Sequence, residues 1–121
     1  MKYLLMIQAA ENQPVSEALM EAMDPYIENN VKRGVVVDTG GLARSAKGGR
    51  VKLYGGKIAM TDGPFTESKE VIGGYAIIEV ASYEAAMAEA RDFMELHRKH
   101  APGWEGTCEV RPLDFLLSDQ A

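Results

Sequence analysis

Hydrophobic positions along the chain change period several times, and each change predicts an element. Met1 to Gln8 is an apolar run too short for a helix, which predicts a buried strand ending before polar Glu11-Asn12-Gln13-Pro14. From Ser16 the spacing becomes helical, with Leu19, Ala22, Met23, Tyr26, Ile27, Asn30 and Val31 on one face. Ser16 suits the N-cap, and Gly34 stands where a glycine ends a helix. Pro25 interrupts the run without shifting its phase, so one kinked helix is expected; Asp24-Pro25 starting a second short helix is the alternative.

Val35-Val36-Val37 predicts a strand running into Asp38-Thr39-Gly40-Gly41, followed by a loop of Gly, Ser and basic residues up to Gly49. Val51 and Leu53, then Ile58 and Met60, alternate with polar neighbours around Gly55-Gly56, the signature of a two-residue hairpin. Val71 to Val80 is the longest strand, and Ser82 caps a second helix whose inner face carries Tyr83, Ala86, Met87, Ala90, Phe93 and Met94. Pro102-Gly103 stops that helix, and Thr107 to Phe115 forms a last strand that Pro112 assigns to a sheet edge.

The order is β-α-β, a hairpin, then β-α-β. It predicts one α+β domain over residues 1–121, a ferredoxin-like (split βαβ) subunit with an inserted β-hairpin. Both faces of its strands are apolar: Tyr3, Leu5 and Ile7 oppose Leu4 and Met6, while Ala76, Ile78 and Val80 oppose Tyr75 and Ile77. Two helices cover only one face of a four-stranded sheet, so the other needs a cover. A two-fold homodimer built sheet on sheet is the expected cover, with the inserted hairpin folding over its own sheet as the rival.

Composition narrows the function. Among 121 residues the net charge is −5, yet between Lys32 and Lys57 seven cations face the single acid Asp38, leaving the rest of the chain at −11. An acidic whole argues against direct nucleic-acid binding, whereas a local basic stretch attracts a small anion. The lone Cys108 excludes an internal disulfide and multi-cysteine metal sites. No run nears the roughly 20 apolar residues of a membrane span, and the N-terminus lacks a signal-peptide layout; a cytoplasmic protein without membrane contact is expected.

The most distinctive stretch is Thr61-Asp62-Gly63-Pro64-Phe65-Thr66-Glu67-Ser68-Lys69-Glu70. Asp62 before Gly-Pro can tie the turn through its own side chain, with Phe65 plugging the core, or stand as a carboxylate that binds a ligand or takes a proton. His97 is the companion candidate, near the apolar stripe of the second helix, where it either packs at the helix end or meets Asp62 as an acid–base pair. Arg50, Lys57, Lys69, Glu70 and Tyr75 are the candidate ligand-binding residues, Tyr75 on the sheet face away from the helices. Trp104 either anchors its loop or walls a pocket. His97 and His100 with Glu95 fall short of the three or four converging ligands a metal needs, no GxGxxG or GxxxxGK[ST] pattern cradles a nucleotide, and no cofactor is expected. Ser45 and Ser68 have no base beside them in sequence, and Cys108 alternates inward with Val110 as a structural thiol.

The Thr61-Asp62-Gly63-Pro64-Phe65 stretch, Glu67, Lys69 and Glu70, the Gly74-Tyr75-Ala76-Ile77-Ile78-Glu79-Val80 strand, Glu109-Val110-Arg111-Pro112 and the opening Met1 to Ile7 resemble the DGPF-domain branch of the YCII-related proteins. The resemblance implies a dimeric α+β barrel of ferredoxin-like subunits, small-molecule binding or transformation at a pocket with a His–Asp pair, and association with extracytoplasmic-function sigma factors. In the branch with that pair the histidine lies on the first helix, and Ser16 to Lys32 contains none here. Two readings therefore stand, a non-catalytic small-molecule-binding or regulatory protein and a lyase- or isomerase-like enzyme using Asp62 as acid/base.

Overall fold

In a computed structural model, which describes residues 1–65 and 68–120, the chain runs β1 (Lys2–Ala9), α1 (Glu17–Lys32), β2 (Val36–Gly41), β3 (Gly49–Tyr54), β4 (Lys57–Asp62), β5 (Val71–Glu79), α2 (Tyr83–His100) and β6 (Thr107–Pro112). Single 3-10 turns lie at Ser45–Lys47 and Leu117–Gln120. Glu67, part of the distinctive stretch, falls outside the described residues together with Thr66 and Ala121. No helix among the described residues is long and apolar enough to cross a membrane.

Four strands form an antiparallel sheet in the order β2-β5-β1-β6, while β3 and β4, among the described residues, pair only with each other. This is the split βαβ arrangement, with β1 central and β6 at the edge that Pro112 requires. The last strand stops at Pro112, short of the expected Phe115, which is exposed. The β2 strand runs through Gly40 and Gly41, where a turn was the expectation; Gly40 pairs with Tyr75, whose ring lies over it. A bulge opens β5 at Gly73, because Ile7 pairs with Gly74 while Gln8 pairs with Ile72.

Hydrophobic alternation decides which sheet face meets the helices. Tyr3, Leu5 and Ile78 are buried with Val35, Ala86 and Ala90, and Tyr3 is 1% exposed. Both helices begin on a serine cap: the Leu19 N–H donates to Ser16 Oγ and the Ala85 N–H to Ser82 Oγ, each at 3.1 Å. The Ser16 hydroxyl also donates to the His100 carbonyl at 2.7 Å, fastening the start of α1 to the end of α2. Pro25 sits inside one continuous α1, so no second helix starts there, and Val31 faces outward instead of completing the inner stripe.

The opposite sheet face is as the alternation requires. Leu4 pairs with Ile77 and Met6 with Tyr75, forming an apolar strip that no helix covers. Nor does the hairpin cover it. Its Val51, Leu53, Ile58 and Met60 are 68–81% exposed, which overturns the rival in which the hairpin folds over its own sheet.

Candidate functional site

The Asp-Gly-Pro-Phe stretch sits at the root of the β3–β4 ribbon, and backbone contacts hold it there. The Gly63 N–H donates to the Gly48 carbonyl at 2.9 Å, and the Gly63–Pro64 peptide is cis. A Cβ on Gly63 would lie 1.7 Å from the Ser45 carbonyl oxygen, so this position admits only glycine through crowding and not through an unusual φ. Ser45 is the centre of the knot. Its hydroxyl oxygen accepts from the Phe65 N–H at 3.1 Å, its N–H donates to a Glu11 carboxylate oxygen at 2.7 Å, and its hydroxyl donates to the other. These two Ser45 donors, aided by Arg44, hold the Glu11 carboxyl below the ordinary carboxylate range.

The Asp62 carboxylate has no hydrogen bond or ion pair with any described residue, so it does not tie the turn as an Asx bond would. Its register partner is Gly49, which puts it on the same ribbon face as Val51 and Met60. Phe65 does not plug the core either. Its ring lies 3.7 Å under the Arg50 guanidinium, which also donates to Ser68 Oγ at 3.0 Å.

The sequence-predicted ligand residues are scattered. Arg50 is at the ribbon root beside Thr61, and Lys57 at the tip is four residues from Thr61, about 13 Å along the strand. Lys69 and Glu70 are exposed before β5, whereas Tyr75, placed by alternation on the sheet face away from the helices, is among the residues lining the cavity described below. His97 sits elsewhere, against the wall of a cavity lined by none of Asp62, Arg50, Lys57, Lys69 or Glu70. Asp62 and His97 thus do not share a site within the chain.

That cavity, about 440 Å³, lies between the helices and the sheet. Its origin is legible in the strands. Thr39 pairs with Ala76 and Gly41 with Gly74, so the helix-facing positions of β2 and β5 are too small to fill the space under α1. Leu5, Ile7, Met23 and Phe93 give it apolar walls. The volume falls in the range of small-molecule sites, about 300–1,000 Å³.

His97 is the polar group set into this lining. The ring is 4% exposed, edge-on to Phe93 at 4.7 Å and tilted against Trp104 at 4.5 Å. Its Nδ1–H donates to the Phe93 carbonyl at 2.9 Å, which fixes the tautomer and leaves Nε2 with no partner among the described residues. No fully buried side-chain nitrogen or oxygen among them lacks a partner, so Nε2 keeps some exposed surface, and His97 is among the residues that line the cavity. Trp104 both closes its loop, its N–H donating to the Ala101 carbonyl, and walls the cavity. Cys108 lines the floor, its thiol pushed up to about 11 by burial, so it is protonated and unreactive at neutral pH. At the α1 end the buried Asn30 amide is satisfied, donating to the Tyr26 carbonyl and accepting from Arg33. Burial raises the Tyr26 phenol above its ordinary value, keeping it neutral.

Glu11 and Arg44 also line the cavity, the same two residues that flank the Ser45 knot. Sequence reasoning singled out neither Glu11 nor the structural part of Ser45. Their contacts span 34 positions, and no local spacing announces them.

Two comparisons with known proteins bear on this chain. The model of the YCII-related domain matches residues 1–104. An uncharacterised protein of Rhizobium meliloti (strain 1021) is 27% identical over 107 residues, which span 88% of this chain and 82% of that protein.

Proposed function

The chain belongs to the YCII-related family, and from that premise we propose that it binds a small, largely apolar molecule in the cavity between its helices and its sheet. The observation that carries this reading is an apolar cavity of about 440 Å³ lined by His97, whose Nδ1 is held by the Phe93 carbonyl and whose Nε2 has no partner among the described residues. Such a site suits an apolar body with one hydroxyl, carbonyl or carboxyl group placed against the imidazole. It moves the expected ligand from the basic ribbon to the cavity, where the polar group of the ligand meets the imidazole. A binding role is favoured over acid–base chemistry at Asp62, because that carboxylate is outside the cavity and away from His97. The Asp-Gly-Pro-Phe residues support placement in the branch of that name, and the association of that branch with extracytoplasmic-function sigma factors favours a regulatory use of the ligand.

We also read the strip of Leu4, Met6, Tyr75 and Ile77 as the seat of a second copy, closing a dimeric α+β barrel. Ile77→Glu is expected to dissociate that dimer.

The cavity is tested with 1-anilinonaphthalene-8-sulfonate and a series of medium-chain carboxylic acids, read by Trp104 fluorescence and thermal shift. Saturable binding at one site per chain is expected. Ala76→Phe, which fills the cavity, should abolish it, and His97→Leu, which keeps the ring stack's volume but removes Nε2, should weaken the acids about tenfold or more. Binding indifferent to both substitutions overturns the reading.

A further inference from the structure

Of the two buried polar residues among the described ones, Asn30 is fully used and His97 is not. The Asn30 amide donates to the Tyr26 carbonyl and accepts from Arg33, whereas the His97 ring makes a single hydrogen bond, at Nδ1. The Phe93 carbonyl it meets can only accept, so Nδ1 carries the proton and, in the neutral ring, Nε2 is a bare acceptor. Other polar side chains of the cavity lining are spent within the chain. Gln13 exchanges two bonds with the Glu105 backbone, at 2.7 and 2.8 Å, Glu89 receives Arg33, and Glu11 holds Ser45. A ligand carbonyl brings no proton to Nε2, and a carboxylate would need a second proton on the ring. The group that completes His97 is a hydrogen-bond donor.

The walls specify the body of the ligand. Tyr26 on α1, Phe93 and His97 on α2, and Trp104 in the loop after α2 all line the cavity. Their rings run in one row, with successive centroids 5.7, 4.7 and 4.5 Å apart. On the strand side the lining is small, with Gly41 paired to Gly74 and Thr39 to Ala76. A row of rings over small residues leaves a slot that a flat ring fills, with edge and face contacts that a saturated body does not make. We infer that the cavity takes a planar aromatic molecule carrying one hydrogen-bond donor, an O–H or N–H, which it gives to Nε2 of His97. The inference rests on the cavity reading and narrows its ligand.

The test is equilibrium dialysis of the full chain with matched probes: 2-naphthol against 2-methoxynaphthalene, indole against 1-methylindole, and 2-naphthol against decahydro-2-naphthol and 2-naphthoate. In at least one of the first two pairs the donor is expected to bind about tenfold or more tighter than its methylated partner, and the pair that does so tells O–H from N–H. Decahydro-2-naphthol, which keeps the hydroxyl but not the flat ring, should bind weaker than 2-naphthol by a similar factor. His97→Leu should bring the members of the preferred pair within about twofold of each other, and His97→Gln, whose amide oxygen can accept, should restore part of the difference. Equal binding within both methylated pairs, tighter binding of 2-naphthoate than of 2-naphthol, or a preference that survives in His97→Leu overturns the donor. Decahydro-2-naphthol bound as tightly as 2-naphthol overturns the aromatic slot. In each of these cases the cavity reading stands, because a probe still binds; failure of every probe, the medium-chain acids included, overturns both. The comparisons within the parent decide the matter even where His97→Leu does not fold.

Discussion

The ribbon root and the helix–sheet cavity divide the chain's distinctive residues from its chemistry. At the root, Asp62, Gly63, Pro64 and Phe65 form the most recognisable stretch, yet what happens there is crowding: a glycine against the Ser45 carbonyl and a phenylalanine under Arg50. In the cavity the residues are ordinary, two glycines, an alanine and a threonine on the strands and one histidine on a helix, yet they leave space and a free ring nitrogen. A conspicuous tetrapeptide can thus mark a backbone constraint, while a binding site is made by what neighbouring side chains fail to fill.

The comparison breaks first at Gly63. Replacement by alanine forces a Cβ into the Ser45 carbonyl, and neither backbone can yield without loosening the knot. Denaturant unfolding of Gly63→Ala is expected to show a loss of about 3 kcal/mol or more. A loss below about 1 kcal/mol would mean that the root relaxes freely and that the crowding has no structural consequence.

A smaller effect is expected at Glu11, where the two regions touch. Its carboxyl is held below the ordinary range by the Ser45 donors, so the folded state binds its proton more weakly than the unfolded chain does. The resulting stabilisation is present above the unfolded value, about pH 4.3, and is lost as pH falls through the lowered folded value. Glu11→Gln should therefore melt below the parent at pH 7, with the two melting curves converging as the pH is taken from 5 to 3. A gap that persists unchanged at pH 3 would assign the difference to geometry and not to charge.

Asp62→Asn carries the smallest expected effect. With no partner to lose among the described residues, the variant should unfold within about 0.5 kcal/mol of the parent and bind the cavity probes equally well. Loss of ligand response in this variant would move the chemistry from the cavity to the ribbon root.

How much was legible in the sequence follows the range of the interactions. Period and caps disclosed the helices, since Ser16 and Ser82 act on N–H groups three residues away. Alternation disclosed the two sheet faces, Tyr75 and Ile77 opposing Ala76 and Ile78, and the Gly55-Gly56 pair, both at positive φ, disclosed the hairpin turn. The position of the hairpin relative to the body was not legible, because an amphipathic ribbon has the same pattern whether it folds inward or projects. Asp62 and His97 looked like partners only because each is the kind of residue that does chemistry; β4 and α2 carry them apart. The cavity was invisible for the opposite reason, since Gly41, Gly74 and Ala76 read as turn and packing residues until pairing shows that they stack on one face.

The placement of Glu11 and Arg44 has a thermodynamic consequence. They belong both to the cavity wall and to the surroundings of Ser45, whose hydroxyl and carbonyl fix the direction in which the ribbon leaves the body. Occupancy of the cavity and the direction of the ribbon therefore draw on one set of hydrogen bonds, those that Ser45 makes with Glu11 and Phe65. Any ligand that binds one arrangement of that set more tightly shifts the balance between ribbon orientations by its differential affinity, and linkage requires the orientation to shift the ligand's affinity by the same factor. Anything that fixes the direction of the ribbon would accordingly change the measured affinity of the cavity.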